Sequence, residues 1–210
     1  MTQDVILPWR STGEPWRQKH VEFLADYYGS EFNVILADCE GEFNRSAARN
    51  SGVRLSNSQI SVVIDADSYI PIDQIHAAID VAKKNKALVK PFTTFGYLTE
   101  ESTNIFYEAF GISDIEPEFI NPPADGFTGG AYVMRRELWI SLGGMDEGFI
   151  GWGAEDDAFH LLIKNSKIPT IYVDGYDWHL YHPAYRMTST ENYDKLMSEY
   201  VRGKRKVEGL

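Results

Sequence analysis

The sequence predicts an α/β domain in which helices cover a sheet of parallel strands. Short apolar runs, typical of buried strands, alternate with longer stretches whose apolar residues recur every three or four positions, as in a helix. The chain has 210 residues, of which 43% are apolar and 13% aromatic, enough for one domain with a buried core. Strands that alternate with helices pair in parallel, and ligands gather at their carboxyl ends.

The first half of the chain alternates strand and helix. Pro15 suits the first turn of a helix, and Val21, Leu24 and Tyr28 share one face of the helix that follows. The predicted elements are strands over residues 5–7, 32–37, 60–64 and 87–89, and helices over residues 14–28, 43–50 and 71–84. This alternation indicates the nucleotide-binding half of an α/β domain.

The second half is rich in glycine, with eight of the 17 glycines between residues 126 and 153. Clustered glycines indicate a backbone that bends sharply or lies close to a ligand. We predict a helix over residues 154–164, strands near Ile171 and Trp178, and a final helix. That helix opens with a capping box from Thr188 to Glu191 and ends in a basic segment, residues 202–206.

Charge and cysteine content restrict the classes of function. The chain has 31 acidic and 20 basic residues, a net charge of −11, which disfavours nonspecific binding to nucleic acid. Cys39 is the single cysteine and cannot form an internal disulfide, so reducing surroundings are expected. The N-terminus lacks the pattern of a signal peptide, and no segment has the apolar length of a membrane span. We expect a soluble, cytoplasmic protein of a bacterial or phage type.

Two acids follow the predicted strand 60–64 in the segment Asp65-Ala66-Asp67. Two carboxylates at the carboxyl end of a buried strand can together hold a hard divalent cation and orient a sugar nucleotide. The alternative is that these acids only form the turn that ends the strand.

Three acids, Glu155, Asp156 and Asp157, follow the segment Gly151-Trp152-Gly153. Acids in the first turn of a helix are explained by the helix dipole alone. An aromatic side chain between two glycines is a poor choice for a turn, but it makes a mobile platform on which a sugar can stack.

Two histidines, His179 and His182, lie three residues apart near the end of a predicted strand. An offset of three places side chains on opposite faces of a strand, so we expect one to be a metal ligand and the other to be structural.

Aromatic and basic residues meet in Pro8-Trp9-Arg10 and in Phe43-Asn44-Arg45. An aromatic ring can stack on a nucleobase, and an arginine can hold a phosphate through two hydrogen bonds. Core aromatics and solvated arginines are the alternative explanation.

In this order, the motifs resemble those of GT-A glycosyltransferases, and most closely the catalytic region of the β-1,4-galactosyltransferases. Bacterial chondroitin-polymerase-like and polypeptide N-acetylgalactosaminyltransferase-like enzymes are similar too. The matching segments are 8–10, 43–45, 65–67 with Pro71, 127–130, 143–145 and 151–157. The resemblance implies one domain over residues 1–210 with a mixed sheet flanked by helices. Residues 1–90 would be its nucleotide-binding half, 91–185 its acceptor and metal half, and 186–210 a C-terminal helix.

The resemblance also implies a role for each matching residue. Asp156 matches the general base, and Asp67 a metal ligand, with Asp65 as the neighbouring acid at the metal and donor. His182 is the preferred histidine ligand and His179 the second choice. The nucleotide-binding positions are Pro8, Trp9, Arg10, Phe43, Arg45, Asp65 and Ala66, and the acceptor or sugar positions are Phe127, Gly129, Gly130, Trp152, Glu155 and Asp157.

These roles imply transfer of Gal, GalNAc, Glc or GlcNAc from a UDP-sugar to an acceptor hydroxyl on a glycan, a glycoprotein or another molecule. An imidazole beside carboxylate and phosphate oxygens suits Mn²⁺ better than Mg²⁺. Direct displacement with Asp156 as base inverts the anomeric configuration. The alternatives are a retaining N-acetylgalactosaminyltransferase-like enzyme, a carbohydrate-binding protein that has lost catalysis, and an enzyme that modifies DNA, which the acidic charge disfavours.

Overall fold

The computed structural model describes residues 2–109, 115, 119–120, 128–183 and 189–209. The strands are β1 (Asp4–Pro8), β2 (Asn33–Ala37), β3 (Ile60–Ile64), β4 (Ser68–Tyr69), β5 (Leu88–Lys90), β6 (Thr94–Tyr97), β7 (Phe119–Ile120), β8 (Ala131–Arg135), β9 (Thr170–Tyr172) and β10 (Tyr176–His179). The helices are α1 (Pro15–Gly29), α2 (Arg45–Leu55), α3 (Ile72–Lys84), α4 (Glu100–Ala109), α5 (Arg136–Ser141), α6 (Glu155–Asn165) and α7 (Thr190–Lys195), and a π-helix continues α7 over Leu196–Arg202.

The larger sheet has six strands in the order β2-β1-β3-β8-β5-β9. β1 pairs in parallel with β2 and β3, as the sequence predicts for the first half. β8 is antiparallel to both of its neighbours, β3 and β5. The sheet is therefore mixed, and the α/β class with a mixed sheet flanked by helices is confirmed.

The smaller sheet has the strand order β4-β10-β6-β7. β10 pairs antiparallel with β4, with Trp178 opposite Tyr69 and His179 opposite Ser68. Since β4 begins one residue after Asp67, this pairing brings His179 beside that acid.

Two hydrophobic cores lie on opposite faces of the larger sheet because strand side chains alternate. Val5 and Leu7 face the core that includes Leu24 of α1 and Ile79 of α3. Ile6 faces the other core, which contains residues of α2, α5 and α6. Burial of each such aliphatic side chain stabilises the fold by roughly 1.5–3 kcal/mol. The two cores fix the strand ends at which the polar motifs lie.

Several predicted boundaries differ from the structure. α2 begins at Arg45 because the Asn44 side chain caps it, accepting from the Ala47 amide at 2.9 Å, and the helix runs on to Leu55. The final helix is capped by Ser189, which accepts from the Asn192 amide at 3.3 Å. Thr188, predicted as the cap, lies outside the described residues. In the described part of the chain, no helix combines the length and apolar composition needed to cross a bilayer.

His20, on α1, is fully buried and joins α1 to distant parts of the chain. Its Nε2 lies 2.6 Å from the carbonyl oxygen of Tyr181, and its Nδ1 lies 2.6 Å from the hydroxyl of Tyr107. A carbonyl only accepts, so Nε2 carries the proton and Nδ1 accepts from Tyr107. Burial lowers the pKa of His20 from 6.5 to about 4, against the opposing effect of the Tyr181 carbonyl.

We expect His20 to make the stability of the fold depend on pH. Between pH 6.5 and about 4 the unfolded chain binds a proton on this ring and the folded chain does not. The free energy of unfolding should therefore fall as the pH falls through this window, by roughly 3 kcal/mol from this group. Urea unfolding of the wild type and of His20→Gln at pH 7 and pH 4 checks this. Equal losses in the two proteins would contradict it.

Candidate active site

The chain turns immediately after β3, and the turn separates two acids. The Ser68 amide donates to the Asp65 carbonyl at 3.0 Å, and the Asp65 amide donates to the Gly130 carbonyl at 2.9 Å. This turn directs the Asp65 side chain to Arg49 and the Asp67 side chain to two histidines. The two carboxylates predicted to act together on one cation therefore have different partners.

Asp67, His179 and His182 form a cluster with metal-ligand chemistry. Asp67 Oδ2 lies 3.1 Å from His182 Nε2 and 3.9 Å from His179 Nε2. One ligand atom from each of the three residues lies within 4.8 Å of the others. Two imidazoles and a carboxylate suit Mn²⁺ and other borderline divalent cations better than Mg²⁺. The donor set therefore fits a divalent transition metal.

The expectation that the two histidines face opposite ways is wrong. β10 ends at His179, so the alternation of a strand does not extend to His182. The ring centroids of the two histidines are 5.1 Å apart. Although burial opposes ionisation of Asp67, the histidines and Arg17 lower the pKa of its carboxyl far below the ordinary value. Asp67 is therefore an anion ready to bind a cation.

Arg17, in the first turn of α1, was not predicted as a site residue. Its guanidinium lies 3.1 Å from His182 Nδ1 and 3.8 Å from Asp67 Oδ2. The sequence did contain a signal for it, because a cation in the first turn opposes the helix dipole, and this turn has no acid. Arg17 brings positive charge to the edge of the metal-ligand cluster.

Arg49 is a second unpredicted residue, and it joins the two acidic motifs. Its side chain is completely buried, and its guanidinium nitrogens lie 2.6 Å from Asp65 Oδ1 and 2.7 Å from Asp156 Oδ1. A buried cation between two carboxylates keeps both close despite their mutual repulsion. Arg49 thereby links the turn after β3 to the start of α6.

Asp156 is held as an anion. The Tyr132 hydroxyl donates to its Oδ1 at 2.5 Å, the same oxygen that Arg49 contacts. Burial opposes its ionisation, but the charges of Arg49 and Arg45 dominate and lower the pKa of Asp156 well below the ordinary range. Oδ2 faces Gly129, where an added Cβ would lie 3.1 Å from that oxygen. A side chain at position 129 would crowd the carboxylate.

Glu155 is buried at the start of α6 and forms an ion pair with Arg45. Burial and the neighbouring Asp156 raise the pKa of Glu155, against the effect of Arg45. The Arg45 guanidinium also lies 6.0 Å from the centre of the Trp152 ring, which is 43% exposed. Asp157, predicted beside the acceptor, is exposed to solvent.

A buried lysine binds the backbone of the glycine segment before β8. Lys90 Nζ donates to the carbonyls of Thr128 and Gly129, both at 2.9 Å. Gly130 has φ +86°, and a Cβ there would lie 2.2 Å from Asp177 Oδ2. The segment therefore needs glycine at position 130, and the two hydrogen bonds from Lys90 hold its backbone in place. Phe127, predicted beside the donor sugar, lies outside the described residues.

Arg10 and Phe43, two of the predicted nucleotide-binding residues, lie together beyond the ends of β1 and β2. Arg10 Nε donates to Asp38 Oδ2 at 2.9 Å, and its other nitrogens donate to the carbonyls of Cys39 and Gly41. Its guanidinium lies 5.6 Å from the centre of the Phe43 ring. Pro8 ends β1, and Trp9 and Ala66 pack against one core. The structure thus brings the two basic–aromatic motifs together through Arg10 and Phe43.

These contacts form a network in two parts, the metal-ligand cluster at Asp67 and the Asp65–Arg49–Asp156 group, which the turn after β3 joins. Such a network can bind a cation with an anionic ligand at one end and accept a proton at the other.

Comparisons with known sequences identify two family models and a curated relative. A family model described as glycosyl transferase family 2 matches residues 17–143, more than half of the chain. A second model, described as the N-terminal domain of galactosyltransferase, matches residues 113–185. A curated protein, β-1,4-galactosyltransferase 7 of Drosophila melanogaster, is 39% identical over 44 residues, which are 21% of this chain and 14% of the relative.

Solved structures show the same fold. The catalytic domain of Drosophila β-1,4-galactosyltransferase 7 in complex with xylobiose has a TM-score of 0.61 at 16% identity, over 99% of this chain and 81% of the other. A mutant of that enzyme in complex with manganese, UDP-Gal and xylobiose has a TM-score of 0.57 at 15% identity, over 91% and 78%. GalNAc-T7 with UDP, GalNAc and Mn²⁺ has a TM-score of 0.59 at 15% identity, over 97% and 50%.

Proposed function

The chain belongs to glycosyl transferase family 2, and we propose that it transfers a hexose from a UDP-sugar to an acceptor hydroxyl with inversion of the anomeric configuration. The observation that carries this proposal is the connection between two functional groups. Arg49 contacts both Asp65 and Asp156, and Asp65 lies two residues before Asp67, the carboxylate of the Asp67–His179–His182 cluster, in the turn after β3.

The donor diphosphate is proposed to bind at the metal-ligand cluster. Asp67, His179 and His182 would hold Mn²⁺, with Asp65 contacting the donor rather than the ion. A divalent cation there supplies charge that stabilises a departing diphosphate. Arg17, 3.8 Å from Asp67, adds a second positive charge on the same side. This choice of metal is supported by the donor set and by the manganese in two similar structures.

The uridine is proposed to lie against Pro8, Trp9, Arg10, Phe43 and Arg45. These residues follow the carboxyl end of β1 and open α2, where α/β sheets bind nucleotides. The UDP-Gal and UDP in two similar complexes support the choice of a uridine nucleotide. Among hexoses, Gal, GalNAc, Glc and GlcNAc are all consistent with the described residues.

Asp156 is proposed as the general base. Arg49 and Tyr132 both contact Oδ1, so Oδ2 is the oxygen that would receive the proton. The acceptor oxygen forms a bond to the anomeric carbon, the bond from that carbon to UDP breaks, and UDP leaves with the electron pair. The acceptor proton passes to Oδ2. Because the pKa of Asp156 is depressed, this transfer comes late, once bonding to the sugar has made the hydroxyl acidic.

The acceptor is proposed to lie between Trp152, Gly129, Gly130 and Glu155. The exposed Trp152 ring offers an apolar face for a sugar, and Glu155 offers a carboxylate whose pKa is raised.

Ligand-linked stabilisation tests nucleotide, metal and sugar together. We expect saturating UDP with Mn²⁺ to raise the Tm by roughly 5–10 °C, and EDTA to abolish the shift. UDP-sugars should act like UDP, and GDP should give a smaller shift. Stabilisation by GDP alone, or an equal shift in EDTA, would contradict the proposal. NMR of the product should show the inverted anomer, and retention would rule out Asp156 as the base of a direct displacement.

A further inference from the structure

A short loop, here called the Trp152 loop, comprises residues 150–153. One side chain binds its first and last residues, which together are called its neck. Asn192 on α7 donates from Nδ2 to the Ile150 carbonyl at 3.0 Å and to the Gly153 carbonyl at 3.1 Å. Asn192 is only 3% exposed. A primary amide nitrogen has two hydrogens, so one Asn192 amide satisfies both carbonyls at the base of the loop.

The loop needs this support because its backbone is unusual. Gly151 and Gly153 have φ of +78° and +98°, and Ala154 has φ +72°. A left-handed conformation at alanine is unfavourable and persists only where the surroundings impose it. No side chain caps the first turn of α6, since Ala154 occupies the N-cap position. The neck therefore fixes a segment that lacks support from its own sequence.

The C-terminal helices also hold the chain just before the loop. Asp146 Oδ2 accepts from the Tyr200 hydroxyl and from Arg205, both at 2.7 Å, and lies 3.1 Å from Lys195 Nζ. Together, Asp146 and the neck attach residues 146–153 to the C-terminal segment at two points. A movement of Asp146 or of the two ends of the Trp152 loop away from the C-terminal segment would break one of these attachments.

We propose that Asn192 is a positioning residue, through which the C-terminal helix fixes the Trp152 loop and sets the position of Trp152 relative to the first turn of α6. This inference rests on the proposed function only where it assigns Trp152 to the acceptor side. α6 begins two residues after the loop with Glu155 and Asp156. A displaced neck would move the aromatic ring while leaving Asp67, in the turn after β3, and His179, at the end of β10, unchanged.

Amide hydrogen exchange tests the neck directly. In Asn192→Ala and Asn192→Asp we expect exchange of the Ala158 amide, which donates to the Ala154 carbonyl at 2.9 Å in the first turn of α6, to accelerate by about tenfold or more. The reason is that losing two hydrogen bonds releases the residues just before α6, while exchange in β3 should be unchanged. Asn165→Ala is the matched control. Asn165 Nδ2 donates to the carbonyls of Tyr200 and Arg205 at 3.1 and 3.3 Å, so it has the same chemistry away from the loop. If both variants unfold, Asn192→Ser, which keeps one donor, replaces them.

Kinetics test the consequence for the site. With UDP-galactose as donor and xylobiose as the probe acceptor, the Asn192 variants should raise the KM for xylobiose about tenfold. Their Kd for UDP with Mn²⁺ should match the wild type. Asn165→Ala should change neither value. Unchanged exchange of the Ala158 amide in the Asn192 variants, or equal acceleration in Asn165→Ala, overturns the inference. Absence of both transfer and UDP-sugar hydrolysis in the wild type with UDP-Gal, UDP-GalNAc, UDP-Glc and UDP-GlcNAc would count against the proposed function, and the exchange result would still decide the role of Asn192.

Discussion

Replacing Asp156 with asparagine is expected to lower the rate of sugar transfer by about 10²–10⁴-fold, the contribution of a positioned general base. Asparagine keeps the shape of the side chain, and its carbonyl oxygen can still accept from Tyr132 and Arg49. It has no basic oxygen to take the acceptor proton. Arg49 keeps Asp65 as a partner, so the fold and the donor site should persist. Initial rates at saturating donor, with calorimetry of UDP and Mn²⁺, measure the two effects separately.

Asp73→Asn is the matched control for this prediction, because Asp73 is an exposed acid in the first turn of α3. It removes the same charge from an equivalent helix position and should leave the rate unchanged. If Asp156→Asn lost UDP binding as well, Asp156 would be part of the donor site. If it kept more than about a tenth of the wild-type rate, another group would be the base.

The alternating half of the fold could be predicted from the sequence because its signals are local. The strand over residues 60–64 is confirmed to the residue. α1 differs from prediction by one residue at each end, and α3 by one residue at its start. β8 and α5 were not predicted, since the glycine-rich sequence around them obscures the spacing of apolar residues. The antiparallel insertion of β8 between β3 and β5 depends on long-range pairing.

The residues of the candidate site could be named from motifs, but their partners could not. The Asp65-Ala66-Asp67 spacing favours two carboxylates on one ion, whereas the turn after β3 separates them. The His179–His182 spacing favours opposite faces, whereas the end of β10 allows both rings to approach Asp67. In each case the deciding feature is where the strand stops, and a sequence pattern fixes that boundary poorly.

Buried polar residues were the hardest to predict. Arg49 lies in a predicted helix, and nothing in the sequence of that helix indicates a buried arginine. Only the fold shows that its side chain is fully buried between two acids. Asn192 likewise becomes informative only when the C-terminal helix packs against the Trp152 loop. Arg49 and Asn192 each contact residues that are distant in the sequence, so no local pattern could indicate these contacts.

Replacing Asp67 with alanine is expected to abolish metal-dependent UDP binding. Loss of a residue that only supports a metal ligand typically costs about 10–100-fold in metal affinity, so loss of a ligand itself should cost more than about 100-fold. Asp67 is also the anion that both histidines and Arg17 face, and its removal leaves those positive or polar groups without their carboxylate. Asp80→Ala, at an exposed acid on α3, is the control and should bind Mn²⁺ and UDP as the wild type does.

The central claim is that Asp67, His179 and His182 together hold the cation that binds the donor diphosphate. Anomalous scattering from wild-type crystals grown with Mn²⁺ and UDP measures the position of that ion directly. The account predicts one strong peak within coordinating distance of all three side chains, with the diphosphate of UDP beside it. A manganese peak away from Asp67, or UDP bound in the cleft with no metal at these residues, would contradict it.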